Sequence, residues 1–201
     1  MAFKDLRQYI SALEEQGELR RVTKEVDWNL EAGAITRLVY EKGLPSPLFE
    51  NVKGYPGYRI LGAPISTFRK LAIAMGLNPE SNFHDFIIIY LQRKGKLIKP
   101  VIVDKSQAPC KENNDIGDQV DLLKFPAPML HDGDGGRYLC TWQVNVTKDP
   151  DSGWVNWGCY RGMVATRNTL TGSVSPAKHI GSHFQKYRPK ILKACQDAFA
   201  G

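Results

Sequence analysis

The chain has 201 residues, of which 42% are hydrophobic, and a formal net charge of +6, a composition typical of a protein with a buried core. Its longest apolar run, 86–91, is far shorter than the roughly 20 residues of a transmembrane helix, and its basic residues are interleaved with acidic ones and follow no nucleic-acid-binding motif. Since residues 1–7 also lack the charged-then-apolar order of a signal peptide, we expect a cytoplasmic protein without membrane or nucleic-acid partners.

The first half of the chain alternates between helical and strand patterns. Apolar residues at helical spacing predict an amphipathic helix over 3–16, ended by Gly17. Asn82 is placed to cap a later helix. The further predicted elements are a strand over 19–26, a helix over 30–41, strands over 48–52 and 58–62, and helices over 68–75 and 83–93. This order predicts a mixed α/β N-terminal domain.

The composition changes near residue 105. Prolines with several Asp and Asn residues over 107–130 predict an extended connector. A β-rich region and a final helix follow, with strands over 137–147, 154–166 and 172–174, turns at 149–153 and 167–168, and the helix over 182–200. We therefore predict two domains, 1–112 and 113–201, within the α+β class.

Polar, glycine and metal-competent residues are concentrated between residues 131 and 179. Asn156 and Arg161 in one predicted strand, with His179 after a turn, could bring together an amide oxygen, a guanidinium and an imidazole, groups able to hold a metal and an anion. Strand alternation, however, puts Asn156 on the face of Trp154 and Gly158, and Arg161 on the other face unless a bulge intervenes. The alternative remains open that these are an edge amide, a surface cation and an exposed or helix-capping histidine.

Other residues with metal-binding chemistry give weaker signals. His183 lies one helical turn after His179, and we interpret it as a surface residue. Asp132, Asp134 and Glu112 are interpreted as loop residues. No Cys-x-x-Cys spacing occurs, so we expect reduced thiols rather than a zinc site. The cysteines are Cys110, Cys140, Cys159 and Cys195.

Several motifs of the second half keep a fixed order and spacing. They are Gly135-Gly136-x-Tyr138-x-x-Thr141, an Asp-Ser-Gly-Trp turn, Trp154-Val155-Asn156-Trp157-x4-Arg161, Leu170-Thr171-Gly172 and Pro176-x-x-His179-Ile180. This pattern resembles the UbiD family of prenylated-FMN-dependent decarboxylases. The segments 5–7 and 51–56 also resemble that family's N-terminal domain. The resemblance implies a mixed α/β domain followed by the first part of a split β-barrel flavin-binding domain.

The resemblance also implies roles for individual residues. Asn156 and His179 correspond to two of three protein ligands of a divalent metal, usually Mn²⁺, that anchors the phosphate of prenylated FMN. Arg161 corresponds to the catalytic arginine beside the reacting carboxylate. The Trp154 carbonyl is similar to a ligand of an accompanying K⁺. The remaining expected cofactor contacts are Thr141, Cys159, Tyr160 and Lys178, the last of which stands where some relatives carry glutamine.

The activity implied is reversible non-oxidative decarboxylation of an aromatic or α,β-unsaturated acid, with a flavin prenyltransferase as the supplier of the cofactor. The third metal ligand, a glutamate, and the proton donor are expected beyond residue 201. The chain is therefore interpreted as an N-terminal fragment, inactive alone, of a homo-oligomeric enzyme. Two other classes stay open: a non-catalytic partner subunit of a carboxylase complex, and a plain FMN-binding split-barrel module.

Overall fold

The computed structural model describes residues 3–96, 98 and 101–199, with side chains up to residue 193. The chain divides into two compact units, 1–134 and 135–201. The domain boundary expected after residue 112 lies within the first unit and stays a prediction. Helices mixed with small sheets confirm the α+β class. In the described part of the chain, no helix combines the length and the apolarity that crossing a bilayer requires.

The first unit contains a three-stranded sheet with four helices. The elements are α1 (Leu6–Glu15), β1 (Leu19–Val22), α2 (Glu31–Glu41), β2 (Ser46–Phe49), β3 (Ile60–Leu61), α3 (Phe68–Ala74) and α4 (Phe83–Lys94). Strand β2 lies in the middle of the sheet, parallel to β1 and antiparallel to β3. The Asn82 side chain accepts a hydrogen bond from the backbone N–H of Asp85, which confirms the predicted cap. Phe49 is fully buried in the cluster that forms the core beneath this sheet.

The connector between the two halves was predicted to be extended, and this prediction was wrong. It is folded into four short 3-10 turns, at Lys105–Gln107, Pro109–Lys111, Gly117–Gln119 and Leu122–Lys124. The side chains of Asp104 and Asp121 accept hydrogen bonds from the backbone N–H groups two residues ahead. The aspartates that suggested a loop therefore close it locally into turns.

The second unit consists of two small antiparallel sheets and a long helix. The elements are β4 (Tyr138–Cys140), β5 (Asn145–Lys148), β6 (Val155–Gly158), β7 (Gly162–Thr166), β8 (Thr169–Gly172) and α5 (His179–Phe199). One sheet has the order β4-β7-β8, and the other is the hairpin of β5 and β6. Helix α5 packs against the hairpin.

Four boundaries in this unit differ from the prediction. The strand expected over 137–147 is two strands of different sheets, β4 and β5, separated by residues 141–144. The strand expected over 154–166 is two strands, because the chain leaves the sheet at 159–161, where the carbonyl of Tyr160 accepts hydrogen bonds from the side chains of Gln143 and Asn145. Of the strand expected over 172–174, only Gly172 is in a strand, as the last residue of β8, which begins at Thr169. Helix α5 begins at His179, three residues before the predicted start; its predicted last residue, Ala200, lies outside the described residues.

Candidate functional site

Asn156 and His179 meet where β6 faces the start of α5. Asn156 is 6% exposed, and its Oδ1 lies 3.1 Å from Nδ1 of His179, the first residue of α5. The two residues are 23 positions apart, so folding of the hairpin against the helix brings them together. The structure thus places an amide oxygen and an imidazole nitrogen side by side, as the sequence led us to expect.

The nitrogen of the Asn156 amide has two hydroxyl partners. Nδ2 donates to the Tyr160 hydroxyl at 3.1 Å and to Thr147 Oγ1 at 3.4 Å. Thr147 is the residue paired with Asn156 across the β5–β6 hairpin. With Oδ1 at His179, every polar atom of this buried side chain has a neighbour, as buried amides require.

Tyr160 links the hairpin to the helix through its side chain. Its hydroxyl accepts from Asn156 Nδ2 and also from the backbone N–H of Ile180, at 3.3 Å. The ring lies so close to Gly158 that a Cβ built there would stand 2.6 Å from a ring carbon. Glycine at 158 therefore allows Tyr160 to fold back over the strand it has just left.

His183 is buried, so our interpretation of it as a surface residue was wrong. It is 2% exposed, its Nδ1 lies 2.9 Å from Thr147 Oγ1, and its ring packs edge-to-face on Trp154 with centroids 4.9 Å apart. His179 packs on Trp154 in the same way, at 4.8 Å. Residues four apart share a helix face, and this face of α5 lies against the hairpin.

Ion pairs attach the next turns of α5 to the hairpin turn. Lys186 donates to Asp149 at 2.6 Å, and Lys190 donates to Asp151 at 3.1 Å. Asp149 also accepts from the backbone N–H groups of Asp151 and Ser152. The Lys186 ammonium, together with these N–H groups, holds the pKa of the Asp149 carboxyl well below its usual value.

Arg161 lines a separate feature of the second unit, a cavity of about 290 Å³. Among the described residues, it makes no hydrogen bond or ion pair with Asn156 or His179. The guanidinium therefore does not touch the amide–imidazole pair directly. The residues that line the cavity are Tyr138, Arg161, Met163, Thr171, Gly172 and Ser173.

The other residues expected to contact a cofactor lie mostly at the surface of the same unit. Thr141, Cys159 and Lys178 are exposed, and Trp154 is 45% exposed. Their roles stay predictions. Sequence reasoning missed Thr147, because counting outward equally from the predicted turn at 149–153 pairs Asn156 with Val146, whereas the observed register pairs it with Thr147.

The amide–imidazole pair has the chemistry and the spacing of two adjacent ligands of a divalent metal. Bonds of about 2.0–2.2 Å to an octahedral ion leave neighbouring donor atoms about 2.9–3.1 Å apart, and the observed separation is 3.1 Å. Carbonyl oxygen and imidazole nitrogen both suit such ions. Among the described residues, no three His, Cys, Asp or Glu side chains cluster as a metal site, so the pair accounts for two donors only.

Comparison with known proteins gives a consistent result over most of the chain. Residues 10–87 match the family model of the 3-octaprenyl-4-hydroxybenzoate carboxy-lyase N-terminal domain, and residues 101–198 match that of its Rift-related domain. Pyrrole-2-carboxylic acid decarboxylase from Pseudomonas aeruginosa is 40% identical over 193 residues, which cover 92% of this chain and 38% of that protein.

Two solved structures share this fold. Vanillic acid decarboxylase from Sedimentibacter hydroxybenzoicus, in closed form, aligns with a TM-score of 0.87 at 28% identity, over 94% of this chain and 41% of that chain. An evolved dimeric form of the UbiD-class enzyme HmfF from Pelotomaculum thermopropionicum, in complex with prFMN, aligns with a TM-score of 0.79 at 30% identity, over 94% and 42%. The chain spans about two-fifths of the length of these relatives. It belongs to the UbiD family of carboxy-lyases, whose N-terminal portion it matches.

Proposed function

We propose that this chain forms part of the metal and prenylated-FMN site of a cytoplasmic, homo-oligomeric decarboxylase that acts on an aromatic or α,β-unsaturated acid. The observation that carries the proposal is the approach of Asn156 Oδ1 to His179 Nδ1, at 3.1 Å. Two of the similar proteins are named for aromatic acids, pyrrole-2-carboxylic and vanillic acid, and a third is a complex with prFMN. A flavin prenyltransferase would supply the cofactor.

Asn156 and His179 would hold Mn²⁺ against the phosphate of the cofactor. The metal would neutralise the phosphate charge there, and the start of α5 at His179 would add the positive end of a helix dipole, which favours an anion. The carbonyl of Trp154, whose ring packs on His179, would bind an accompanying K⁺. In this arrangement the burial of Asn156 would fix the direction of one metal ligand, and helix α5 would fix the position of the other ligand, His179.

Arg161 would bind the carboxylate of the acid through paired hydrogen bonds and hold it in place. Its position in the wall of a cavity of about 290 Å³ is compatible with a small acid. When bound, prenylated FMN supplies the electron sink that lets the bond to the carboxyl carbon break. CO₂ then leaves, and a proton takes its place on the substrate carbon. Thr141, Cys159, Tyr160 and Lys178 would contact the cofactor.

The test is native mass spectrometry of the 201-residue chain, produced with a flavin prenyltransferase and Mn²⁺. We expect wild type to retain prenylated FMN and Mn²⁺, and Asn156→Ala and His179→Ala to lose both. His84→Ala, which removes an exposed imidazole in α4, is the matched control and should retain both.

Each outcome discriminates between the proposed classes. Retention of cofactor and metal after both substitutions at the pair would refute the proposed ligands. Binding of unmodified FMN without metal would indicate the plain flavin module. A folded wild-type chain that binds neither cofactor nor metal would favour the partner-subunit class. Circular dichroism of each sample establishes that it is folded.

A further inference from the structure

A continuous series of polar contacts connects His183 to His179. His183 Nδ1 meets Thr147 Oγ1 at 2.9 Å, Thr147 Oγ1 meets Asn156 Nδ2 at 3.4 Å, and Asn156 Oδ1 meets His179 Nδ1 at 3.1 Å. We propose that His183 is a positioning residue that acts through Thr147 to keep the Asn156 amide oriented with Oδ1 toward His179. This inference rests on the proposed function, in which that oxygen binds a metal.

The orientation of the Asn156 amide needs an explanation because both of its nitrogen partners are hydroxyls. Thr147 and Tyr160 can each donate or accept a hydrogen bond. A reversed amide, with its oxygen toward the two hydroxyls and its nitrogen toward His179, would also find partners. Shape does not select between the two orientations, since an amide has nearly the same outline when flipped. The choice depends on where the hydroxyl protons point.

His183 can fix the direction in which the Thr147 hydroxyl proton points. If Nδ1 of His183 accepts that proton, Oγ1 has only lone pairs left for Asn156, so the amide nitrogen must face it. The oxygen of the amide then points to His179. With the opposite tautomer, Nδ1–H donates to Oγ1, and the Thr147 proton becomes free to bond an amide oxygen. The tautomer of His183 therefore decides the orientation of a side chain that it does not touch.

Burial supports this role for His183. The side chain is 2% exposed, and its Nε2 has no hydrogen-bond partner among the described residues. Burying an imidazole with an unpaired nitrogen costs free energy that an apolar side chain would not cost. The hydrogen bond to Thr147 is the compensating contact. Tyr160 does not make the selection, since its hydroxyl accepts from the Ile180 N–H and keeps both a lone pair and a proton for Asn156.

Two matched pairs of variants separate positioning from packing. His183→Leu keeps an apolar side chain against Trp154 and removes the acceptor, whereas His183→Asn can place an amide oxygen near the former site of Nδ1. Thr147→Val removes the hydroxyl, and Thr147→Ser keeps it. If His183 only fills space, His183→Leu should behave as wild type. If it positions Asn156, only His183→Asn and Thr147→Ser, which keep the polar contact, should behave as wild type.

The first measurement is NMR of the metal-free 201-residue chain. Long-range ¹H–¹⁵N correlation should show His183 protonated at Nε2 and unprotonated at Nδ1. The Asn156 amide protons should give nuclear Overhauser effects to Thr147 and Tyr160 in wild type, His183→Asn and Thr147→Ser. In His183→Leu and Thr147→Val these effects should weaken. An Nδ1–H tautomer in wild type, or unchanged effects in His183→Leu, would overturn the inference.

The second measurement is Mn²⁺ affinity in the presence of FMN, from the electron paramagnetic resonance of free Mn²⁺. Loss of an outer-shell hydrogen bond typically weakens metal binding by about 10- to 100-fold, which we expect for His183→Leu and Thr147→Val. The polar variants should remain close to wild type. If wild type gives the expected NMR result but binds no Mn²⁺, the proposed metal role is refuted and the positioning of Asn156 by His183 stays supported. Failure of the metal role and failure of the positioning role are therefore distinguishable.

Discussion

Replacing Gly158 by alanine should displace the Tyr160 ring and disturb the Asn156 amide. The new Cβ would lie 2.6 Å from Cε2 and 2.9 Å from Cζ of Tyr160. Because carbon atoms in contact stand about 3.5–4.0 Å apart, the ring must retreat by about 1 Å. Its hydroxyl bonds to Asn156 and Ile180, at 3.1 and 3.3 Å, would then be lost.

The expected cost follows from these contacts. Each lost hydrogen bond costs about 1 kcal/mol, crowding adds about 1–3 kcal/mol, and alanine recovers about 0.5–1 kcal/mol of backbone entropy relative to glycine. We therefore expect Gly158→Ala to lower the free energy of unfolding by about 2–4 kcal/mol. Gly95→Ala is the control, because nothing lies within 4 Å of a Cβ there, and it should raise stability by up to about 1 kcal/mol through the entropy gain alone.

Urea unfolding followed by tryptophan fluorescence measures this cost in the second unit, which contains Trp142, Trp154 and Trp157, three of the 4 tryptophans. Repeating the substitution in a Tyr160→Leu background tests the cause. Without the ring atoms, Gly158→Ala should cost much less than it does in wild type. An equal cost in both backgrounds would refute the explanation based on the ring.

Two further predictions concern stability. Lys186 and neighbouring N–H groups hold the pKa of Asp149 below its usual value, so the carboxylate stabilises the fold above its unfolded-state pKa and loses that contribution as pH falls through the folded-state value. Asp149→Asn should therefore reduce the fall in Tm that occurs as the pH drops below about 4. A fall in Tm as steep as that of the control Asp132→Asn would contradict this. Phe49→Ala, at a position 0% exposed, should lower the free energy of unfolding by about 3–5 kcal/mol. The fluorescence of Trp28, which packs on the same cluster, follows this unfolding. Phe68→Ala, at a position 57% exposed, should cost less than about 1 kcal/mol, and equal costs would refute the burial argument.

Elements defined by local chemistry were predictable from the sequence. Helix α1 follows from apolar spacing, and Asp5 caps it by accepting from the Gln8 N–H. Gly17 has a φ of 72° just beyond its end, as a residue that ends a helix often does. These features depend on neighbours within a few residues, which periodicity and capping rules describe.

The missed features depend on partners that are distant in sequence. The break at 159–161 arises because Tyr160 bonds Gln143 and Asn145 on one side and Ile180 on the other, and strand periodicity does not contain that information. His183 was expected one helical turn after His179, but the contacts that bury it come from Thr147 and Trp154, which are distant in sequence. His179 shares its helix face with His183 but stays exposed, so position on the helix alone does not predict the burial of His183.

One face of α5 contacts the β5–β6 hairpin over nearly three turns. The contacts in chain order are His179 with Asn156, His183 with Thr147, Lys186 with Asp149, and Lys190 with Asp151. Rotating the helix by one residue, about 100°, would break all of them together. The imidazole at its start is thus held in register by two lysines about two and three turns further along the helix. Because salt screens exposed pairs such as Lys190–Asp151, ionic strength should change the mobility of His179 through a contact that His179 does not make.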